Sequence, residues 1–308
     1  MEQIIKYSRE HTAYSYLELL PFPKITDPSI LIIIVSYVTI LNEDVMRELA
    51  KDGNIQVMKW ARENGCPWDE HVRNLAASTG HLDCLQWAHK NGCPWSELIC
   101  LYAASTGHLD CLQWARENES PWDKWVCVYA SKNGHLNCLQ WARENGCPWD
   151  QGVCNSAASN GHLDCLIWAR ENGCPWNERV CSGAAFNNQL DCLQWARENG
   201  CPWDKRVCWH AAENGHIDCL KWAHENGCPW DELICLASAK NGHLDCLQYV
   251  ITQGCECDKL VCFYASKHGH LDCLQYACMR GCPWDKIDCS FTANENNHQH
   301  IVDWINSL

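Results

Sequence analysis

Phenylalanine and methionine, common fillers of a large core, are nearly missing from this 308-residue chain, with four of each. Basic residues are also in deficit: 24 Lys and Arg stand against 38 Asp and Glu, a formal net charge of −14. A chain of that sign repels phosphate backbones and anionic headgroups, which argues against nucleic acid and membrane as partners. Long apolar runs are absent. The longest, Ile30 to Leu41, covers 12 residues and includes Ser36, Tyr37 and Thr39, whereas a membrane-spanning helix needs about 20. Nor does the opening Met1-Glu2-Gln3-Ile4-Ile5-Lys6 carry a basic region leading into an apolar core, so the expectation is a soluble, cytoplasmic protein. Hydrophobic residues at 47% exclude global disorder. Catalytic signatures are missing too: there is no phosphate-cradling glycine loop, nucleophile elbow or His-Glu-x-x-His. The carboxylates recur as helix caps. The chain therefore reads as a non-enzyme with no cofactor.

What the sequence holds in excess is 26 Cys, 18 Trp and a strict internal period. Gly80-His81-Leu82-Asp83-Cys84-Leu85-Gln86-Trp87-Ala88 returns 27 residues later as Gly107-His108-Leu109-Asp110-Cys111-Leu112-Gln113-Trp114-Ala115. Copies open at 53, 80, 107, 134, 161, 188, 215, 242 and 269, so nine full repeats cover 53–295 without insertion or deletion. A tenth begins at Asn296, and one inserted residue puts Trp304 on the repeating Trp position. Within residues 69–95, Asp69 suits a helix N-cap, and Val72, Ala76 and Ala77 follow at helical spacing. Gly80 tolerates the positive φ of a helix end. A second helix opens at His81-Leu82 with Asp83 in its first turn. Leu82, Leu85, Trp87 and Ala88 form its apolar side, and Asn91-Gly92 and Pro94 stop it. Helices of about ten residues are marginal alone in water, and one hairpin cannot cover its own apolar faces. Stacking supplies the missing surface, which predicts an elongated all-α solenoid.

Ala76-Ala77-Ser78-Thr79-Gly80-His81-Leu82-Asp83 resembles the heart of the ankyrin repeat, and Asn91-Gly92-Cys93 stands where that family has its Gly-Ala ending. The likeness runs through all nine repeats. An ankyrin unit has about 33 residues, and this one is shorter by about six; the β-hairpin finger is what is missing. The pattern looks like the short ankyrin-like variety of large DNA viruses of amoebae and some protists. The resemblance implies an ankyrin-like helical-hairpin solenoid of 27-residue repeats lacking β-hairpin fingers, with a protein partner on a concave face lined by the first helices. A monomer is expected.

Twenty-four cysteines fall at three repeating positions, exemplified by Cys100 in the first helix, Cys84 in the second and Cys93 in the connection; Cys257 and Cys278 lie outside the pattern. Equivalent positions in stacked helices sit about 8–10 Å apart, too far for a disulfide ladder. His81-x-x-Cys84 followed by Cys93 and Cys100 suggests zinc. However, Val57, Arg73, Ser120 and Gln189 replace each candidate ligand somewhere while the pattern continues, and no Cys-x-x-Cys occurs. The thiols therefore read as small buried hydrophobes, the repeating His as a structural group at the turn, and the repeating Trp as packing between repeats.

Differences between repeats point to where a partner docks. The second helices scarcely vary, but the two residues before the paired small residues of the first helix do: Leu101-Tyr102, Val128-Tyr129, Trp209-His210, Phe263-Tyr264. Residues just after the cap vary as well: Lys124-Trp125, Glu178-Arg179, Lys205-Arg206. Tyr, Trp and Arg anchor interfaces, so the candidate partner-binding residues are Tyr102, Trp125, Tyr129, Arg179, Arg206, Trp209, His210, Phe263 and Tyr264. Residues 1–41 depart from the repeat and are expected to cap the solenoid of residues 42–308, with 296–308 as its C-terminal cap. Leu20-Pro21 and Ile34-Val35-Ser36-Tyr37-Val38 also resemble an F-box, which implies an alternative role as a substrate-recruiting adaptor of a ubiquitin ligase.

Overall fold

The computed structural model describes residues 41–308; the expected N-terminal cap and the F-box-like segment lie outside the described residues. The chain divides into two compact units, Met1–Trp149 and Asp150–Leu308. Among the described residues there are twenty helices and no strands. The first unit stacks the hairpins Glu43–Lys51/Ile55–Glu63, His71–Ser78/Leu82–Lys90, Ile99–Thr106/Leu109–Glu117 and Lys124–Lys132/Leu136–Glu144. Gly152–Ser159/Leu163–Glu171, Arg179–Phe186/Leu190–Glu198 and Arg206–Glu213/Ile217–Glu225 open the second. Leu233–Lys240/Leu244–Thr252, Lys259–His268/Leu271–Met279 and Lys286–Glu295/Gln299–Asn306 complete it. Within each unit, first helices pack on first helices and second helices on second helices. Helix Glu43–Lys51, upstream of the first glycine-framed repeat, buries Val45, Met46, Leu49 and Ala50 and supplies the first half of the opening hairpin.

Four recurring contacts hold neighbouring hairpins together. The cap carboxylate accepts from the amide two residues on, as in Asp123 to Trp125 (3.0 Å) and Asp258 to Leu260 (2.9 Å). The backbone carbonyl of that cap residue then accepts the connection thiol of the next hairpin: Cys93 to Asp69 (3.2 Å), Cys147 to Asp123 (3.3 Å), Cys228 to Asp204 (3.3 Å). The connection cysteines are thus donors as well as buried hydrophobes. At the helix turn, the repeating His donates through Nε2 to the last carbonyl of the preceding first helix: His81 to Lys51 (3.1 Å), His216 to Phe186 (3.0 Å), His243 to Glu213 (3.0 Å). The same ring lies against the preceding turn glycine. A Cβ on Gly107, which has φ +83°, would stand 2.6 Å from His135 Nδ1, so this column needs glycine both for its backbone and for its lack of a side chain.

Each connection Trp is held between successive second helices. Trp203 meets Trp222 edge-on at 5.9 Å, and Arg197 covers its face at 4.4 Å. Arg170 does the same over Trp176 and also donates to the Cys174 carbonyl (3.3 Å). Where His89 replaces that arginine, Arg73 takes over from the first helix: it covers Trp95 at 4.7 Å and donates to the Cys93 carbonyl. The C-terminal insertion also has a place. Helix Lys286–Glu295 has ten residues, Asn297 takes positive φ, His298 reaches the Lys267 carbonyl (3.1 Å), and Trp304 stacks on Trp284 at 6.1 Å.

Candidate protein-binding surface

A first helix has one committed side and one free side. In Lys259–His268, Val261, Cys262, Ala265 and Ser266 are buried, while Leu260, Phe263, Tyr264 and Lys267 share the remaining face at one-turn spacing. Those four positions recur every 27 residues in both units. Of the eleven large apolar side chains exposed among the described residues, nine fall in these columns: Leu98, Tyr102, Trp125, Tyr129, Phe186, Leu233, Leu260, Ile287 and Phe291. Second helices present polar groups to solvent instead, such as Asp83, Gln86, Arg116 and Glu117.

Every sequence-predicted residue lies on this first-helix face, in two states. Tyr102, Trp125, Tyr129 and Arg179 are exposed, with Trp125 at 48%. Trp125 and Tyr129 meet at 6.2 Å, flanked by Lys124 and Lys132 over their rings. Arg206, Trp209, His210, Phe263 and Tyr264 are half-buried and already engaged within the chain. Arg206 pairs with Asp204 (2.8 Å) and Glu178 (3.1 Å). His210 touches Trp209 and Phe186 at 5.0 and 5.3 Å, and Phe263 meets Tyr264 at 5.3 Å. Residue type alone did not single out Leu98, Leu233, Leu260 and Ile287. Their signal was an apolar column two residues after each cap, where a first helical turn still faces solvent.

Two shallow grooves open on this face. In the first unit, Arg47, His71, Leu75 and Tyr102 border about 330 Å³. In the second, Asn155, Ser159, Arg179, Gly183, Phe186 and His210 border about 360 Å³. Gly183 keeps that space open, because a Cβ there would collide with Ser159 Oγ. Asn155 Oδ1 and His210 Nδ1 are buried without a hydrogen-bond partner, although the Glu213 carboxylate lies 3.6 Å from the imidazole. Exposed aromatic and aliphatic side chains beside unsatisfied polar atoms are what a polypeptide's mixed surface can complement. Among the described residues, no three His, Cys, Asp or Glu side chains converge as a metal site requires, and no helix is long and apolar enough to cross a membrane.

Comparison with known proteins agrees with the architecture. Residues 208–288 match the family model "Ankyrin repeats (3 copies)", and residues 74–116 and 100–143 match "Ankyrin repeats (many copies)". No curated protein matches the chain. Among solved structures, the human ASB11 ankyrin repeat domain superposes with a TM-score of 0.45 at 16% identity, over 51% of this chain and 84% of that one. The chain carries ankyrin repeats, in a 27-residue form that is helical throughout its repeating hairpins.

Proposed function

We propose that this protein is a non-enzymatic interaction scaffold that docks a partner polypeptide on the first-helix face. Ankyrin repeats are generally protein–protein interaction modules, which supports the reading at the level of class. The observation that carries the finer statement is the concentration of exposed Trp, Tyr, Phe, Leu and Ile on one face of an otherwise polar-surfaced, acidic chain. Leaving such side chains in water is unfavourable, by about 1.5–3 kcal/mol for each that a partner would fully cover. Trp125 and Tyr129 are the strongest anchors, being large, rigid and adjacent.

The test is quantitative affinity capture with the wild type, a Trp125→Ser/Tyr129→Ser variant and a Leu233→Ser/Leu260→Ser variant. A second-helix control carries Gln86→Ala/Glu117→Ala. Partners should fall away from the first two while the control retains them, all with unchanged melting curves. Capture that survives both face variants, or is lost with the control, would refute the assignment.

A further inference from the structure

Seven connections read Cys-Pro-Trp and one reads Ser120-Pro121-Trp122, but Cys255-Glu256-Cys257 loses both the proline and the indole. Exposure follows the change. Connection cysteines 66, 93, 147, 174, 201, 228 and 282 are buried, the last at 6%, whereas Cys255 and Cys257 are half-exposed. The off-pattern residue does not stand alone. Its thiol is hydrogen-bonded to those of Cys282 and Cys235. Cys235 has Cys255 as its main partner, and Cys282 has Cys257. An accessible sulfur and a sheltered one thus meet across the hairpin Lys259–His268/Leu271–Met279, each in a connecting loop.

We infer that Cys257 and Cys282 are a peroxide-sensitive thiol pair that closes reversibly to a disulfide joining the loops on either side of this hairpin. Two thiol donors hold the Cys257 thiol well below its ordinary value, favouring the thiolate. Second-helix thiols such as Cys84 and Cys273 are pushed up to about 12, mainly by burial, and stay inert. The oxidant is a hydroperoxide. The Cys257 thiolate attacks one peroxide oxygen; an S–O bond forms, the O–O bond breaks, and the other oxygen leaves as hydroxide or alkoxide and takes up a proton. Cys282, giving up its proton, attacks the resulting sulfenic sulfur, so that S–S forms, S–O breaks and water leaves. Two thiols lose two electrons, and the peroxide is reduced to alcohol or water. A thiol reductant reverses the bond by exchange.

Full-length reduced protein is exposed to equimolar hydrogen peroxide, its remaining thiols are alkylated, and linked peptides are mapped by mass spectrometry. The Cys257–Cys282 link should form first and disappear with dithiothreitol. Cys257→Trp, which restores the residue this column carries elsewhere, should abolish it and leave Cys282 alkylated. In Cys282→Ala, dimedone should trap a sulfenic acid at Cys257. Without oxidant, Cys257 should alkylate at least about tenfold faster than Cys84, as accessible thiolates do. Links scattered among other pairs, a Cys257 that alkylates no faster than Cys84, or absence of the dimedone adduct would overturn the inference.

Discussion

Two glycines of the second unit allow the contact between neighbouring hairpins to be separated from backbone geometry. Gly242 has φ +76° and Gly254 φ +84°, so an alanine is strained at either. Around Gly254 a Cβ would meet nothing within 4 Å; at Gly242 it would stand 2.5 Å from His270 Nδ1 and 2.7 Å from Cε1. The left-handed conformation costs an L-residue about 1–2 kcal/mol, partly offset by about 0.4–1 kcal/mol from the stiffer unfolded chain. Gly254→Ala is therefore expected to destabilise by about 1 kcal/mol. Gly242→Ala adds forced displacement of a packed ring, about 1–3 kcal/mol more. The cycle is completed with His270→Ala: in that background Gly242→Ala should cost no more than Gly254→Ala, a coupling of about 1–3 kcal/mol. Repeat arrays can open in parts, so the readout is native-state hydrogen exchange of amides in residues 233–279 alongside urea denaturation. Equal costs for the two alanines, or a coupling below about 0.5 kcal/mol, would show that the His ring does not hold the turn.

Two further expectations rest on other contacts. Arg73 is 3% exposed, with Nε and Nη1 unpartnered. Arg73→Cys alone should destabilise by leaving the Cys93 carbonyl without its donor and Trp95 without its cover, by about 1–3 kcal/mol. Arg73→Cys/His89→Arg rebuilds the arrangement of the other repeats and should melt above the wild type; a double variant no more stable than Arg73→Cys refutes the exchange of roles. Burial, with His270, Lys240, Lys267 and His298 nearby, holds the His268 imidazole below its ordinary 6.5, and burial lowers His270 as well. Folded rings then bind protons less readily than unfolded ones, so stability is full above the unfolded value and declines as pH falls below about 6.5. Melting temperature should drop from about pH 7.5 to about pH 5.5, and His268→Gln/His270→Gln should flatten the drop; a melting temperature that rises toward acid would contradict the sign.

The hairpins were legible because period, caps and turn glycines all repeat at the level of residue type. Helix Glu43–Lys51 was not, because framing the repeat on its glycine splits every hairpin, and this half-hairpin shares only its burial pattern with later copies. Thiol contacts escaped for a related reason. Comparing equivalent positions one repeat apart correctly separates the cysteines, but the chain folds back through a hairpin and brings non-equivalent ones together. Cys208 Sγ lies 4.0 Å from the carbonyl of Cys228, twenty residues on, and the two thiols are hydrogen-bonded.

The variable columns follow from the same geometry. Cap aspartate, connection cysteine, turn glycine and turn histidine each touch a neighbouring hairpin, so a change in one must be answered in the other, as Arg73 answers His89. Leu98, Trp125 and Ile287 project from helices whose opposite side makes those contacts, and no such constraint binds them. Variation there has two meanings, which the structure separates by residue. Arg206 and His210 differ from their counterparts and are occupied by Glu178, Asp204 and Phe186, so they tune how adjacent first helices fit. Trp125, Leu233 and Leu260 have their free side in solvent, and a partner that discriminates this chain from another of the same fold must read them.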